Sequence, residues 1–83
     1  MIITPAQLRA ARGLLGWSQQ ELAEQAAVGV VTVYQMEAGK SAPRRATMTV
    51  IRQALERAGV IFIDANGEGP GVRLRRAPVG AEK

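Results

Sequence analysis

The segment that decides the fold is SQQELAEQAAVGVVTVYQMEAG, residues 18–39, where two short helical patterns flank a break. Ser18 followed three residues later by Glu21 predicts a helix start, because each side chain can accept a hydrogen bond from the other residue's backbone N–H. Apolar residues then recur at the spacing of one buried helical stripe: Leu22, Ala23 and Ala26. A helix is therefore expected to begin at Gln19.

The stripe breaks at Ala27-Val28-Gly29, and a second stripe follows with Val33 and Met36 as its inward members. Two helices this short are not stable alone in water. The sequence therefore predicts a tight turn between them and packing of both against further helices.

A second helix start precedes this segment. Thr4 is followed by Pro5 at the first helical position and by Gln7 three residues after the cap, which predicts a helix from Pro5 to about Leu15. Gly16 provides its stop, because glycine tolerates the left-handed conformation that ends many helices. The residues expected in the core here are Leu8, Ala11, Leu15 and Trp17.

A fourth helix is predicted from about Arg45 to Ala58, closed by Gly59. Its apolar residues recur at spacings of three and four: Met48, Ile51, Leu55 and Ala58. Between Gly39 and this helix, residues 40–43 have the composition of a loop.

The chain then changes character. VIFID at residues 60–64 and VRLRR at residues 72–76 are predicted strands, and Asn66-Gly67 between them is a strong hairpin signal. A two-stranded ribbon alone is marginal in water, so it must pack on the helices or pair with a second copy, and the sequence leaves open whether the strands pair within or between chains. We expect a homodimer interface here, formed by Val60, Ile61, Phe62, Ile63, Val72 and Leu74.

Together these elements predict a mostly α fold in three parts: a four-helix domain over residues 1–59, a two-stranded β extension over residues 60–76 and a disordered tail over residues 77–83. The length suits one small domain. There is no cysteine and no histidine, and the seven acidic residues do not cluster. We therefore expect no metal, no cofactor and no enzyme activity.

Membrane insertion is not indicated, because the longest apolar run, residues 60–63, is far shorter than the roughly 20 residues of a membrane helix. No signal peptide is recognisable, and the absence of cysteine fits a reducing compartment. We expect a cytoplasmic protein.

The net charge of +4 is unevenly distributed along the chain. Residues 37–57 carry five cations against two carboxylates, a surplus of three, directly after the second short helix of the opening segment: Lys40, Arg44, Arg45, Arg52 and Arg57 against Glu37 and Glu56. Such a cluster is suited to neutralising phosphates. The alternative interpretation is an ordinary solvated surface.

Residues 4–58 resemble the helix-turn-helix proteins of the Cro and lambdoid-repressor type, the XRE family of bacterial and phage regulators. The matching positions are Gln19, Leu22-Ala23, Val28, Thr32-Val33, Glu37-Ala38-Gly39 and Pro43. The resemblance implies a lambda-repressor-like DNA-binding domain in which residues 30–37 form the helix that enters the major groove of double-stranded DNA. It does not extend past Gly59, because the family's usual fifth helix is replaced by the two strands.

The resemblance also implies roles for individual residues. The expected base-reading residues are Val30, Val31, Thr32, Tyr34 and Gln35. The expected phosphate contacts are Ser18, Gln19, Lys40, Arg44 and Arg45, and Arg12 with Glu37 is the expected structural ion pair. Gln35 is the best candidate for direct readout, because its amide can pair with adenine, whereas Val30 and Val31 can contact only a thymine methyl. The plainer alternative is that Tyr34 and Gln35 are simply solvated.

Two positions depart from the family pattern. Ala27 stands where the family usually has glycine, and Gly29 stands where the reading helix usually has a serine, threonine or asparagine cap. A left-handed Ala27 is strained by roughly 1–2 kcal/mol, and glycine is a poorer cap. The sequence therefore leaves two alternatives open for the turn, a left-handed Ala27 that carries this strain or a local rearrangement.

The function that these patterns favour is a sequence-specific transcriptional regulator, a repressor that binds DNA as a homodimer. The alternative is a protein-interaction module, such as the antitoxin of a toxin–antitoxin pair, with Val30, Val31 and the strands as an apolar docking face for a protein partner. RNA binding through VRLRR is a weaker alternative, because no aromatic residue lies among those arginines to stack on bases.

Overall fold

The computed structural model describes residues 3–40 and 43–76, which form four helices followed by a β-hairpin. In chain order the elements are α1 (Pro5–Leu15), α2 (Gln19–Ala26), α3 (Val30–Ala38), α4 (Arg45–Arg57), β1 (Val60–Ile63) and β2 (Gly71–Leu74). The predicted fold class is confirmed. The expected disordered tail, residues 77–83, lies outside the described residues.

Both predicted helix starts form reciprocal capping pairs. The Thr4 hydroxyl accepts from the Gln7 backbone N–H at 3.0 Å, and the Ser18 hydroxyl accepts from that of Glu21 at 3.0 Å. Each partner's side chain in turn accepts from the backbone N–H of the cap residue. Gly16 ends α1 in the left-handed conformation, with φ of 68°. These local signals therefore fix where α1 and α2 begin and where α1 ends.

The core lies where the inward stripes of all four helices meet the hairpin. Leu8, Leu22, Val33, Ile51 and Leu55 are almost fully buried. α2 packs against α3 and α4, whereas α1 packs against α3 and both strands. No described helix is both long enough and apolar enough to cross a membrane.

The two strands pair with each other in an antiparallel hairpin within the chain. Val60 lies opposite Leu74, and Phe62 lies opposite Val72, so these four side chains share the face that packs on the helices. Of the six residues expected in the dimer interface, Ile61 and Ile63 lie on the other face, where Arg73 lies opposite Ile61.

This placement corrects part of the expected dimer interface. Val60 and Phe62 are 1% and 9% exposed, so their side chains contact their own core and are not offered to a second subunit. Val72 and Leu74 are partly buried against the same core. The physical reason is that a short hairpin is stable only when one apolar face is covered, and here the helices of the same chain cover it.

Gln7 ties the hairpin to the start of α1. Its side chain is 4% exposed, and its amide nitrogen donates to the carbonyl oxygens of Gly71 at 3.0 Å and Ile63 at 3.3 Å. Its amide oxygen accepts from the Thr4 N–H at 2.8 Å. One side chain therefore caps a helix and anchors the loop end of the hairpin, and the sequence indicated only the first of these roles.

Gln7→Glu separates the two roles of this side chain. Glutamate keeps the capping oxygen but places a carboxylate against two carbonyl oxygens, so we expect the free energy of unfolding at pH 7 to fall by about 2 kcal/mol. Urea denaturation followed by circular dichroism measures the change. Gln25→Glu, at an exposed position of α2, is the matched control. Equal stability of the two variants would show that the hydrogen bonds from the Gln7 amide to the hairpin contribute nothing to the free energy of unfolding.

Candidate nucleic-acid interface

The turn between α2 and α3 keeps the left-handed geometry despite its alanine. Ala27 has φ of 58° and ψ of 45°, and among the described residues it is the one non-glycine residue with positive φ. The Val28 N–H donates to the Ala23 carbonyl at 3.0 Å, which closes the end of α2. Of the two alternatives, the left-handed conformation is the one found, and the strain of an L residue in this conformation is retained.

The inward side chains of α3 fix which side faces outward. Val33 and Met36 are buried, so the opposite side chains are presented to solvent. Val31 is 62% exposed, Tyr34 is 50% exposed and Val30 is 37% exposed. Gln35 is also exposed, whereas Thr32 is half-buried. Four of the five expected base-reading residues thus lie on one open arc, and Thr32 lies at its margin.

The expected phosphate contacts fall on two sides of this arc. Ser18 is exposed at the start of α2, and Lys40, Arg44 and Arg45 are exposed after the end of α3. The Lys40 ammonium lies over the Tyr34 ring at 5.6 Å from its centroid. Since the cations lie beside α3 and their side chains are solvated, they are accessible to a phosphate backbone.

Gln19 differs from the other members of the phosphate set, because its side chain donates to a buried carboxylate. Its amide nitrogen donates to a Glu37 carboxylate oxygen at 3.0 Å, and the residue is half-buried. This bond uses one of the two amide hydrogens. The other remains available, so the side chain is positioned by Glu37 at the start of α2.

Glu37 is the hub of a network that joins three helices. Its side chain is 4% exposed, and its two oxygens accept from Arg12 at 2.7 Å and 2.9 Å in a two-bonded ion pair. A further Arg12 nitrogen donates to the Trp17 carbonyl at 2.9 Å. Arg9 donates to the backbone carbonyl of Glu37. The end of α3 is thereby fixed to α1 and to the start of α2.

The sequence indicated the Arg12–Glu37 pair only through the resemblance, and it did not indicate Arg9 or Gln19 as members of the network. The available signal for Arg9 is its spacing of three from Arg12, which places both on one side of α1. No comparable signal exists for Gln19, because its contact with Glu37 depends on how α2 and α3 are packed.

Each member of the ion pair shifts the pKa of the other. Burial raises the pKa of Glu37, but the hydrogen bonds from Arg12 and Gln19 and the nearby positive charges outweigh it, so the pKa is lowered from its usual value. The hydrogen bond to Glu37 raises the pKa of Arg12. Both groups are therefore charged at neutral pH.

The described part of the chain shows no candidate metal site. Within residues 3–40 and 43–76 no three side chains of the metal-binding types gather closely enough to hold an ion. Every buried side-chain nitrogen or oxygen in this part of the chain has a hydrogen-bond partner.

A helix-turn-helix family model matches residues 8–59, which run from the first turn of α1 to the residue before β1. The match covers well over half of the chain and stops where the hairpin begins. No curated protein matches the chain.

Ala27→Gly relieves the strain in the turn. We expect the free energy of unfolding to rise by about 1 kcal/mol, because glycine adopts positive φ without the steric clash that alanine suffers. Ala46→Gly, at an exposed position of α4, is the control and is expected to lower stability by about 0.5–1 kcal/mol. Urea unfolding distinguishes the two. A loss of stability in both variants would contradict the strain at residue 27.

Glu37→Gln tests the ion pair through its pH dependence. Because the folded pKa of Glu37 is lowered, its contribution is fully present above the unfolded value near 4.5 and is lost as the pH falls through the folded pKa. We expect the variant to be less stable than the parent by about 2 kcal/mol at pH 7, since it leaves Arg12 without a charged partner.

The difference between the parent and Glu37→Gln should narrow steadily below pH 4.5, as measured by urea unfolding across the acid range. Glu24→Gln, at an exposed position of α2, controls for the loss of an ordinary carboxylate. A difference that stays constant down to pH 3 would contradict the ion pair as its source.

Proposed function

The chain belongs to the XRE-type helix-turn-helix family of DNA-binding regulators, and on that premise we propose that it is a repressor that binds an inverted-repeat operator as a homodimer. The observation that carries the proposal is the open arc of α3. The inward side chains of this helix are buried in the core, and its outward side chains are exposed to solvent. A protein that covers a promoter needs no further activity to exclude other proteins from it. Members of this family are typically regulators and not enzymes.

The proposed contacts to bases follow from the chemistry of the arc. Val30 and Val31 at the start of α3 offer apolar surface to thymine methyl groups, and Gln35 offers an amide that can bond an adenine edge in two places. Tyr34 and Thr32 add hydroxyl groups for bases or phosphates. We therefore expect an operator in which A·T pairs contact the arc.

The proposed contacts to phosphates fix the domain on the duplex. Ser18 and Gln19 lie where α2 begins, and the free N–H groups and partial positive charge of a helix start favour a phosphate. Lys40, Arg44 and Arg45 would neutralise phosphates on the other side of the arc. Because cations that contact phosphates displace counterions from the DNA, binding is expected to depend steeply on salt.

The proposed dimer uses less of the hairpin than the sequence suggested. Ile63 is 43% exposed and Ile61 is half-buried, and both lie on the face turned away from the helices. The outer edges of β1 and β2 also carry backbone groups that a second strand can pair with. For two copies joined there to bind neighbouring major grooves, their α3 helices must lie about 34 Å apart, one turn of DNA.

A second candidate function is an antitoxin or similar protein-binding module, and the exposed apolar side chains of the same arc favour it. Val30, Val31 and Tyr34 form a surface that a protein partner could cover. Salt separates the two candidates, because phosphate contacts weaken by orders of magnitude between low and moderate salt while an apolar interface hardly responds.

The proposal is tested by selecting bound duplexes from a random pool at moderate salt. We expect a two-fold symmetric site with two chains bound, measured by gel-shift stoichiometry. On that site Gln35→Ala should lose about tenfold in affinity and relax the preference at one base position per half-site, because one amide–base pair contributes roughly 1–3 kcal/mol.

Gln53→Ala, an exposed glutamine on α4, is the matched control and should bind as the parent does. Enrichment of no sequence at low ionic strength would refute the regulator proposal. If the parent and Gln35→Ala select the same site with the same affinity, the assignment of Gln35 as a base reader is wrong.

A further inference from the structure

An open groove separates α1 from α4. Because α1 packs on α3 and the hairpin while α4 packs on α2 and β1, the two helices scarcely contact each other. The space between them has a volume of about 1120 Å³. Clefts that hold small molecules in proteins commonly measure roughly 300–1,000 Å³, so the groove is large enough for a ligand.

The floor of the groove is apolar. It is formed by side chains from the start of α1, the end of α3 and one side of α4, chiefly Pro5, Leu8, Met36, Pro43 and Met48. Leu8 and Met36 belong to the core, whereas Met48 is half-buried and contacts the core from the groove side. Methionine adapts its shape readily, so this floor is suited to an apolar body.

The rim of the groove is positively charged. Three cations line it against one carboxylate, which leaves a surplus of two: Lys40, Arg45 and Arg52 against Glu56. Arg52 donates to Glu56 at 2.9 Å and stacks over the Phe62 ring at 5.2 Å, so these two charges are already matched.

The surplus charge lies at one end of the groove, where α3 ends and α4 begins. Neither Arg45 nor Lys40 forms an ion pair with any residue in the described part of the chain, and the Lys40 ammonium lies over the exposed Tyr34 ring. The first turn of α4 adds partial positive charge, because its cap residue Arg44 makes no side-chain bond to it. An anionic group is electrostatically favoured at this end.

We propose that the groove binds a small organic anion with an apolar body, of the medium-chain carboxylate class. Its carboxylate lies between Lys40 and Arg45, and its apolar body lies along Met36 and Met48. The inference rests on the proposed function in one respect: Lys40 and Arg45 are also proposed phosphate contacts. The ligand and DNA therefore compete for the same cations, and each weakens the binding of the other.

Binding is tested first without DNA, on the full chain, with octanoate as the probe and acetate added to keep the ionic strength constant. Backbone amide chemical shifts should change saturably at groove residues, foremost Leu8 and Met48. Octylammonium, which has the same eight-carbon chain length and the opposite charge, should cause no such change.

DNA affinity is then measured on the selected operator, where saturating octanoate should weaken binding on the order of tenfold.

Two neighbouring positions on α4 provide matched variants. Thr49 lines the groove and Val50 does not, and both are exposed. Thr49→Glu adds a negative charge inside the groove and should weaken octanoate binding at least tenfold, whereas Val50→Glu should leave it unchanged. Neither residue belongs to the proposed DNA contacts, so Val50→Glu should bind the operator as the parent does when octanoate is absent. Thr49→Glu places its carboxylate in the groove, four residues after Arg45 on α4, and should weaken operator binding even without octanoate, as octanoate weakens that of the parent.

Several results would overturn the proposal. One is the absence of saturable shifts with octanoate, and another is equal binding of octylammonium. Octanoate binding that leaves operator affinity unchanged would also overturn it. If two copies of the chain bury the groove against each other, then the groove has a different occupant. Because the shifts are measured without DNA, failure of the regulator proposal leaves the groove test intact.

Discussion

The carboxylate of Glu37 fixes the relation among the three helices on which the proposed DNA contacts depend. It is nearly buried, it accepts two hydrogen bonds from Arg12 on α1, and it accepts a third from Gln19 at the start of α2. α3 has only nine residues and no side-chain cap at its start. Such a helix is unstable alone, so its orientation is set by this network at one end and by the packing of Val33 and Met36.

The turn before α3 shows tertiary packing overriding local preference. Ala27 adopts a conformation that costs about 1 kcal/mol for an L residue, and Gly29 caps the helix without a side chain. The core contacts of Leu22 and Val33, on either side of the turn, hold α2 and α3 at the angle that the left-handed residue provides. The strain is therefore tolerated, because relieving it by rearrangement would separate these two buried side chains.

The hairpin completes the core on one side and leaves the groove open on another. β1, with Val60 and Phe62 in the core, packs against α1 and α4, and Gln7 fastens the loop end of the hairpin to α1. Since the apolar face of the hairpin is used internally, the surface left for a second copy is narrower than the strand sequences suggest. The hairpin does not line the groove between α1 and α4, so it leaves that space open.

The sequence by itself determined the local elements and the inward side of each helix. Capping pairs at Thr4 and Ser18, glycine at residue 16 and the apolar spacing of α2 and α3 act over three or four residues, so they can be recognised without knowledge of the fold. The same spacing separated Val31, Tyr34 and Gln35 from the core. The ends of α4 and of both strands were less well determined and differ from the expected bounds by up to two residues.

The tertiary structure alone decided which polar side chains join distant elements. The side-chain amide of Gln7 donates hydrogen bonds to residues that are 56 and 64 positions away in the sequence. The side-chain amide of Gln19 donates one to a residue 18 positions away. Periodicity carries no information about such partners, because they depend on how whole elements are placed. For the same reason only the folded chain determined that Val60 and Phe62 face their own helices, and that the cations after α3 border an apolar groove.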